Sequence, residues 1–507
     1  MAALDKRATI AVVGAGSMGA GIAQVAAAAG HLTLLFDTSP EAVSRAIEGI
    51  GAGLERLVER GKITPQARDE LLLRIKPAAT LEALSDARLV VEAIVEDLRA
   101  KQQLFARLEK ICARDVILAS NTSSLSISAI ASALARPELL VGMHFFNPAP
   151  VMKLVEVVSG ITTAGTVAQT VFDTAAAWNK SPVHARSTPG FIVNRVARPF
   201  YAEALRLLEE GVADGATIDA LLRESGGFRM GPFELMDLIG QDVNYAVTCS
   251  VYDAFYQDRR FLPSLIQKEL VDGGLLGRKS GRGFYDYAAA VERPPPGSAA
   301  AQKPPPAVRI SGSLGVAEPL VALWRQAGIP VARTRGGANA VRAGEAVVAL
   351  SDGRSATQRA ADCGESNTVL FDLALDYADT GRVALAAADQ ASANAVNDAI
   401  GLFQAAGKTV SLVDDTPGLI VMRTVCMLAN EAADAVLQRV CDAAAVDTAM
   451  RSGVNYPLGP LAWADRIGPA LVLQVLSNLQ LAYGIDRYRP SQLLRRRVAA
   501  GTFFHTG

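Results

Sequence analysis

Over the first 186 residues, short runs of consecutive apolar residues alternate with longer stretches whose apolar positions recur every three or four residues. The runs TIAVVG, HLTLLFD, ARLVVEAIVED, DVILASNTSSL, VGMHFF, VMKLVEVV and PVHAR read as strands. The alanine-rich segment after Gly19 and the stretches from Glu41 to Gly61, about 98 to 112 and about 164 to 178 read as helices. Strands alternating with helices imply a parallel sheet, whose ligands bind beyond the carboxyl ends of the strands. From Gly190 to about Val271 the pattern is helical almost throughout, and FIVNRVARPFYAEALRLLEEG keeps one apolar face for about five turns.

Between the first strand and its helix, Gly14, Gly16 and Gly19 satisfy G-x-G-x-x-G in the context that gives that spacing meaning. The first glycine makes a tight turn, the second admits a pyrophosphate, and the third lets helix and strand pack closely. Ser17 and Met18 open the helix, whose unpaired N–H groups face the phosphates. Asp37 ends the next strand, where ribose hydroxyls should sit. Thr38, Ser39 and Pro40 after it cannot neutralise a 2′-phosphate, so NAD is expected over NADP. Arg45, Arg56 and Arg60 on the following helix read as solvated charges. Glu92, Glu96, Lys101 and the cluster Asn121 to Ser124 fall near strand ends, where Ser, Thr and Asn also commonly cap helices.

His144 closes one apolar run and Glu156 lies twelve residues on in the next. The Asn147-Pro148-Ala149-Pro150 between them cannot continue a strand, because proline lacks a donor and restricts the residue before it. A reversal there would let the runs face each other. A carboxylate on one imidazole nitrogen leaves the other free to take a proton, although a core histidine satisfied by an acid would look the same. Asn194 is expected in the first turn of the long helix.

Residues 291 to 309, VERPPPGSAAAQKPPPAVR, read as a stiff, extended linker. Beyond it the chain repeats its first half in worn form. TPGLIV at 416–421 lies 228 residues after TPGFIV at 188–193, and at the same offset Glu431, Asp447, Gly459, Pro460 and Gly468 match Glu203, Asp219, Gly231, Pro232 and Gly240. VRISGSLGVAEPLVALWRQAG aligns with the glycine-loop segment, Gly312 on Gly14 and Gly328 on Gly30, but Leu314 and Ala317 fill the other fingerprint positions and should exclude a pyrophosphate. No histidine occurs between His184 and His505, and Met422 stands where Asn194 stands in the first copy. The predicted architecture is α/β: a Rossmann-like NAD-binding domain over 1–186, a helical domain over 187–288, a linker over 289–306, a degenerate Rossmann-like copy over 307–413 and a second helical domain over 414–507.

A net charge of −1 excludes a general nucleic-acid surface. Five cysteines without a CxxC and four scattered histidines predict reduced thiols and no metal site. No apolar run approaches the roughly 20 residues that span a bilayer. The N-terminus runs straight into a strand pattern without room for a signal peptide, so a cytoplasmic protein is expected.

The segments GAGSMGAGIA, VVEAIVED, ASNTSSL, GMHFFNPAPVMKLVEV, TPGFIVNR, GPFELMDLIG and GRKSGRGFY resemble, in order and spacing, the L-3-hydroxyacyl-CoA dehydrogenase family over about the first 290 residues. The resemblance implies NAD-dependent oxidation of (3S)-3-hydroxyacyl-CoA to 3-oxoacyl-CoA, with His144 as general base oriented by Glu156. It implies that Ser123 and Asn194 hold the C3 oxygen and the thioester end. It assigns Asp37, Glu96, Lys101, Ser123, Asn147 and Lys279 to the NAD site. A serine and a lysine that touch coenzyme A in the family fall on Gly53 and Arg60, so the charge is kept and the hydroxyl is missing. The extended second half resembles the 3-hydroxyadipyl-CoA or 3-hydroxybutyryl-CoA dehydrogenases of aromatic-acid breakdown. Shorter members dimerise through the helical domain, so the second helical domain is expected to cover the first as an intramolecular pseudo-dimer partner. Other readings are a dehydrogenase of a sugar acid such as gulonate, and an NAD-binding protein without turnover.

Overall fold

The structure, a computed structural model, describes residues 2–289, 291–337 and 339–505. It forms two compact units: residues up to Arg195 with 438–454, and residues 196–437 with those from Asn455 onward.

In the first unit, β1 (Ile10–Val13), β2 (Thr33–Phe36), β3 (Ile75–Pro77), β4 (Leu89–Glu92), β5 (Ile117–Ser120), β6 (Leu140–Phe145), β7 (Leu154–Ser159) and β8 (Ser181–Arg186) make one sheet in the order β3-β2-β1-β4-β5-β6-β7-β8. Every neighbouring pair is parallel except β6 with β7. β1 and β4 are wholly buried, as strands covered by helices on both faces must be, which explains their unbroken apolar runs. Strand order reverses between β1 and β4, and ligands of such sheets bind at the crevice this opens. The helices Ser17–Ala28, Pro40–Glu59, Leu98–Ile111 and Gly165–Ala177 fall close to their expected places. Ser39 caps the second of these by accepting from the Ala42 amide, with Pro40 at the first helical position.

One expectation fails here. The apolar run after Gly190 is not a single helix but two, Val193–Val196 and Arg198–Glu209, parted at Ala197. Pro199 has no N–H for the carbonyl four residues back, and its ring crowds that carbonyl.

In the second unit, β9 (Val308–Ser311), β10 (Val331–Thr334), β11 (Ala340–Ala343), β12 (Ala346–Leu350), β13 (Thr368–Phe371), β14 (Arg382–Ala387) and β15 (Thr409–Leu412) form a sheet in the order β10-β9-β11-β12-β13-β14-β15. β14 and the helix Ala393–Ala405 fall at the 228-residue offset from β7 and Gly165–Ala177. The nucleotide half is cut down: β11, an antiparallel hairpin strand, stands between β9 and β12 where the first sheet has the parallel β4.

The proline-rich linker is extended but is not a free spacer. Ala299 N–H donates to the Val410 carbonyl (2.8 Å), and the Gly297 carbonyl accepts from Ser411 Oγ (2.7 Å) and Arg382 (3.1 Å). The segment thus adds to the outer edge of β15, satisfying backbone groups that a free edge would leave to water.

Contacts between the repeats come in reciprocal pairs. Asp414 N–H donates to Val212 O (3.0 Å) in the second unit, while Arg186 N–H, 228 residues earlier, donates to Val440 O (2.8 Å) in the first. Arg423 pairs with Glu210 (3.1 Å), and its counterpart Arg195 bonds to Gln438 (2.8 Å). Within the second unit, Arg487 binds Glu203 (2.8 Å) and Arg260 binds Glu431 (3.2 Å).

Glu203 lies fully buried between Arg423 and Arg487, on the helix packed against Val421–Leu437. Burial alone would raise its carboxyl, but Arg487 and Arg423 outweigh this and hold it at about 2, against an ordinary 4.5. A carboxyl depressed by folding contributes stability that is present above 4.5 and lost as pH falls from there toward 2, here on the order of 3 kcal/mol. Buried Asp219 and Asp372 are raised by burial, to about 7 and about 6, and act in the opposite sense at higher pH. Comparing wild type with Glu203→Gln cancels them: the gap between their urea midpoints should narrow as pH falls from 5 to 3, and a constant gap would show that Glu203 does not carry this charge.

Among the described residues, no helix is long and apolar enough to cross a membrane, and no group of three His, Cys, Asp or Glu side chains could hold a metal ion.

Candidate active site

The antiparallel pairing of β6 with β7 sets His144 directly opposite Glu156. Nδ1 of His144 lies 2.6 Å from Glu156 Oε2, and both side chains are buried, Glu156 completely. With Nδ1 donating to the carboxylate, the imidazole lone pair lies on Nε2. The rings of Phe146 and Phe191 stand 4.5 and 5.8 Å from the imidazole, centre to centre.

Glu156 has a second task. Its Oε1 accepts the amides of Ile192 and Val193, both at 3.0 Å, at the start of the short helix that carries Asn194. The turn before it is strained, because Phe191 sits at φ 47°, a left-handed conformation that costs a side-chain-bearing residue about 1–2 kcal/mol. One carboxylate therefore holds both the imidazole and this turn. Asn194 in turn reaches Ser123, its Nδ2 at 3.5 Å from the Ser123 carbonyl.

Ser123 belongs to a loop gathered by Glu96, whose Oε1 accepts Thr122 Oγ1 (2.6 Å), the amides of Ser123 (3.0 Å) and Ser124 (3.1 Å), and Ser124 Oγ (2.9 Å). Burial opposes its ionisation, but Thr122 and the charge of Lys101 keep the Glu96 carboxyl below its usual range. Lys101 is itself buried, between Glu92 (2.5 Å) and Glu96 (3.2 Å). Lys101, expected at the cofactor, thus also bridges two carboxylates. Glu92, which also accepts Ser120 Oγ (2.7 Å), completes that bridge and had no distinguishing pattern beyond its place at a strand end.

At the glycine loop, a side chain on Gly14 would strike the Ala93 carbonyl at 2.4 Å and one on Gly19 the Gly14 carbonyl at 1.7 Å, whereas one on Gly16 would meet nothing within 4 Å. Two glycines thus permit close packing and the third leaves open space at the amino end of Ser17–Ala28. A cavity of about 590 Å³ opens there, lined among others by Gly16, Ser17, Gln24, Asp37, Arg45 and Pro150. Asp37 accepts the Ala15 (2.7 Å) and Ser39 (3.0 Å) amides, which fixes its carboxylate at the cavity wall. Space, loop amides and a fixed carboxylate fit a dinucleotide. Arg45, read from sequence as a solvated charge, lines this cavity.

Met18 is half-buried on the loop helix and packs against the core, Asn147 is exposed beyond β6, and Arg60 is exposed at the end of Pro40–Glu59. A side chain at Gly53 would meet nothing closer than Arg56 at 4.0 Å. Lys279, in the second unit, pairs with Asp242 at 2.5 Å.

The second copy keeps this architecture without its chemistry. Asp372 stands at the offset of His144, and Ala384 at that of Glu156. Asp372 accepts the amides of Ile420 (2.9 Å), Val421 (2.6 Å) and Met422 (2.9 Å), the bonds Glu156 makes to the first two counterparts. The left-handed turn persists too, at Leu419.

A dinucleotide cradle and a carboxylate-held imidazole on one mostly parallel sheet define a nicotinamide-dependent dehydrogenase. Residues 9–188 match the family described as 3-hydroxyacyl-CoA dehydrogenase, NAD binding domain, and residues 190–287 and 418–505 each match its C-terminal domain. Residues 348–417 match a 3-hydroxybutyryl-CoA dehydrogenase reduced Rossmann-fold domain. The chain belongs to the NAD-dependent 3-hydroxyacyl-CoA dehydrogenase family, as its seven segments implied. It is 47% identical to a 3-hydroxyadipyl-CoA dehydrogenase of Escherichia coli K12, over 97% of each chain. A 3-hydroxybutyryl-CoA dehydrogenase of Clostridioides difficile is 40% identical and covers 55% of this chain and 99% of its own. A crystal structure of an Escherichia coli K12 3-hydroxybutyryl-CoA dehydrogenase superposes with a TM-score of 0.90 at 46% identity, over 98% of this chain and 99% of that one.

Proposed function

We propose that this chain oxidises (3S)-3-hydroxyacyl-CoA to 3-oxoacyl-CoA, with 3-hydroxyadipyl-CoA or 3-hydroxybutyryl-CoA as substrate, and that His144 is the base. The observation that carries this is the buried His144–Glu156 pair, tied through the Ile192 and Val193 amides to Asn194. Bound NAD supplies the hydride acceptor. His144 Nε2 takes the 3-hydroxyl proton, and Glu156 stabilises the imidazolium as it forms. Asn194 and Ser123 hold the C3 oxygen and the thioester end. Gly14, Gly16, Ser17, Met18, Gly19, Asp37, Glu96, Lys101, Ser123, Asn147 and Lys279 hold the cofactor. Arg60 meets coenzyme A.

Full-length likeness to a 3-hydroxyadipyl-CoA dehydrogenase favours a substrate with a second carboxylate. A panel of 3-hydroxyacyl-CoA thioesters, followed by NADH absorbance, tests it: the adipyl and butyryl thioesters should lead in kcat/KM, and turnover of neither would refute the reading.

NAD should be strongly preferred, since a 2′-phosphate would meet the Asp37 charge. Asp37→Ser should raise the NADP-to-NAD ratio of kcat/KM, because Arg45 in the same cavity can then pair with the phosphate. An unchanged ratio would mean that Asp37 does not set cofactor choice.

The domain limits read from the sequence stand as our division of the chain, and the second helical domain acts as the first one's dimer partner. Reciprocal pairs support this: residue i meets j of the other copy while the counterpart of j meets that of i, the mark of an isologous contact. Five free cysteines support a reducing compartment, the cytoplasm.

A further inference from the structure

The segment 438–454 comes from the second half of the chain yet belongs to the first compact unit. It touches the catalytic framework at three places. Gln438 accepts from Arg195, the residue after Asn194, and the Val440 carbonyl accepts from Arg186 at the end of β8. Third, the buried Gly453, near the end of the helix Ala443–Val454, packs against Leu154 and Val193.

Gly453 is not required by its backbone, whose φ lies outside the left-handed region. It is required by closeness. A Cβ there would lie 2.5 Å from Leu154 Cδ2 and 3.3 Å from Val193 Cγ2. Leu154 stands two residues before Glu156, on the same face of β7, and Val193 gives its amide to Glu156 Oε1. Gly453 therefore bears at once on the strand that carries the carboxylate and on the turn that the carboxylate fixes. In the other copy the matching position is Ser225, whose Oγ bonds to the carbonyl of Arg382, the counterpart of Leu154. A side chain fits there; opposite Leu154 it does not.

We infer that Gly453 is a positioning residue for the reaction, through which the second half of the chain sets the placement of Glu156 and Asn194. This rests on the assignment of His144, Glu156 and Asn194 given above. Gly453→Ala asks only that a Leu154 methyl yield, whereas Gly453→Val asks β7 or the Val193 turn to move. Displacements near 1 Å at a distance from the chemistry cost up to about a hundredfold in rate.

The test measures kcat, the KM for NADH and thermal stability of the full-length Gly453→Ala and Gly453→Val, each also with Leu154→Ala, beside His144→Ala. The expected result is a graded fall in kcat, a few-fold for Ala and about ten- to a hundredfold for Val, with KM for NADH within about twofold. Leu154→Ala should restore much of the kcat of Gly453→Val, because it vacates the contested space. Wild-type kcat in Gly453→Val would overturn the inference, as would a loss of stability without a fall in kcat, or a fall that Leu154→Ala does not relieve. A fully active His144→Ala would instead overturn the site assignment.

Discussion

Replacing His144 by Ala should lower kcat by about two to four orders of magnitude while leaving NADH affinity within about twofold. The imidazole sits at the end of β6, and the glycine loop follows β1, so its loss leaves the pyrophosphate cradle untouched. Glu156→Gln should be comparably damaging for two separable reasons. The amide cannot stabilise an imidazolium as a carboxylate does, and one of its two polar atoms becomes a donor, which either the imidazole or the Ile192 and Val193 amides must then face. Steady-state kinetics with acetoacetyl-CoA and NADH, alongside NADH titration by fluorescence, measures both effects. Near-normal turnover in either variant would remove the pair from the chemistry.

Ending the chain at residue 289 should give a protein that dimerises or aggregates and turns over poorly. It loses the helix Val421–Leu437 from beside Arg198–Glu209, and Glu203 is left without Arg423 and Arg487. Stranding one member of a buried ion pair typically costs about 3–5 kcal/mol. The shortened chain also loses Gly453 and its neighbours from behind β7. A second shortened chain can supply the same surfaces, since the contacts are reciprocal, and an interface of this obligate kind buries roughly 2,000 Å² or more. Sedimentation should find dimers or larger species; a monomer of full stability and activity would refute the pseudo-dimer. Calorimetry on the whole chain should find one NAD per chain, because Leu314 and Ala317 occupy the second copy's fingerprint positions.

The parts of this molecule legible in the sequence are those where one residue type has one physical use. Gly14 and Gly19 could be placed because only a missing side chain clears the Ala93 and Gly14 carbonyls, and Gly16 because a pyrophosphate needs the open space beside it. The His144–Glu156 encounter could be foreseen because prolines force a reversal and two apolar runs then pair. What escaped were cases where a residue's partner lies far along the chain. The proline-rich linker gave no hint of the β15 edge that captures it, more than a hundred residues on. Asp372 was invisible for a subtler reason. Identity at a fixed offset marks the repeat, whereas the carboxylate that anchors the turn lies on one strand in the first copy and beside its neighbour in the second, keeping its bonds and changing its address.

The reciprocal contacts bear on how such a protein can change over generations. In a homodimer every substitution at the two-fold interface appears twice, so a mutation must suit both sides at once. Joined in one chain, the two sides are inherited separately. The pair Arg423–Glu210 is ionic while its counterpart Arg195–Gln438 joins a cation to a neutral amide, and Ser225 answers to Gly453. The copy that lacks the His144–Glu156 pair is thereby free to specialise as a fitted backing for the copy that keeps it, a refinement unavailable to two identical subunits that must each serve as both.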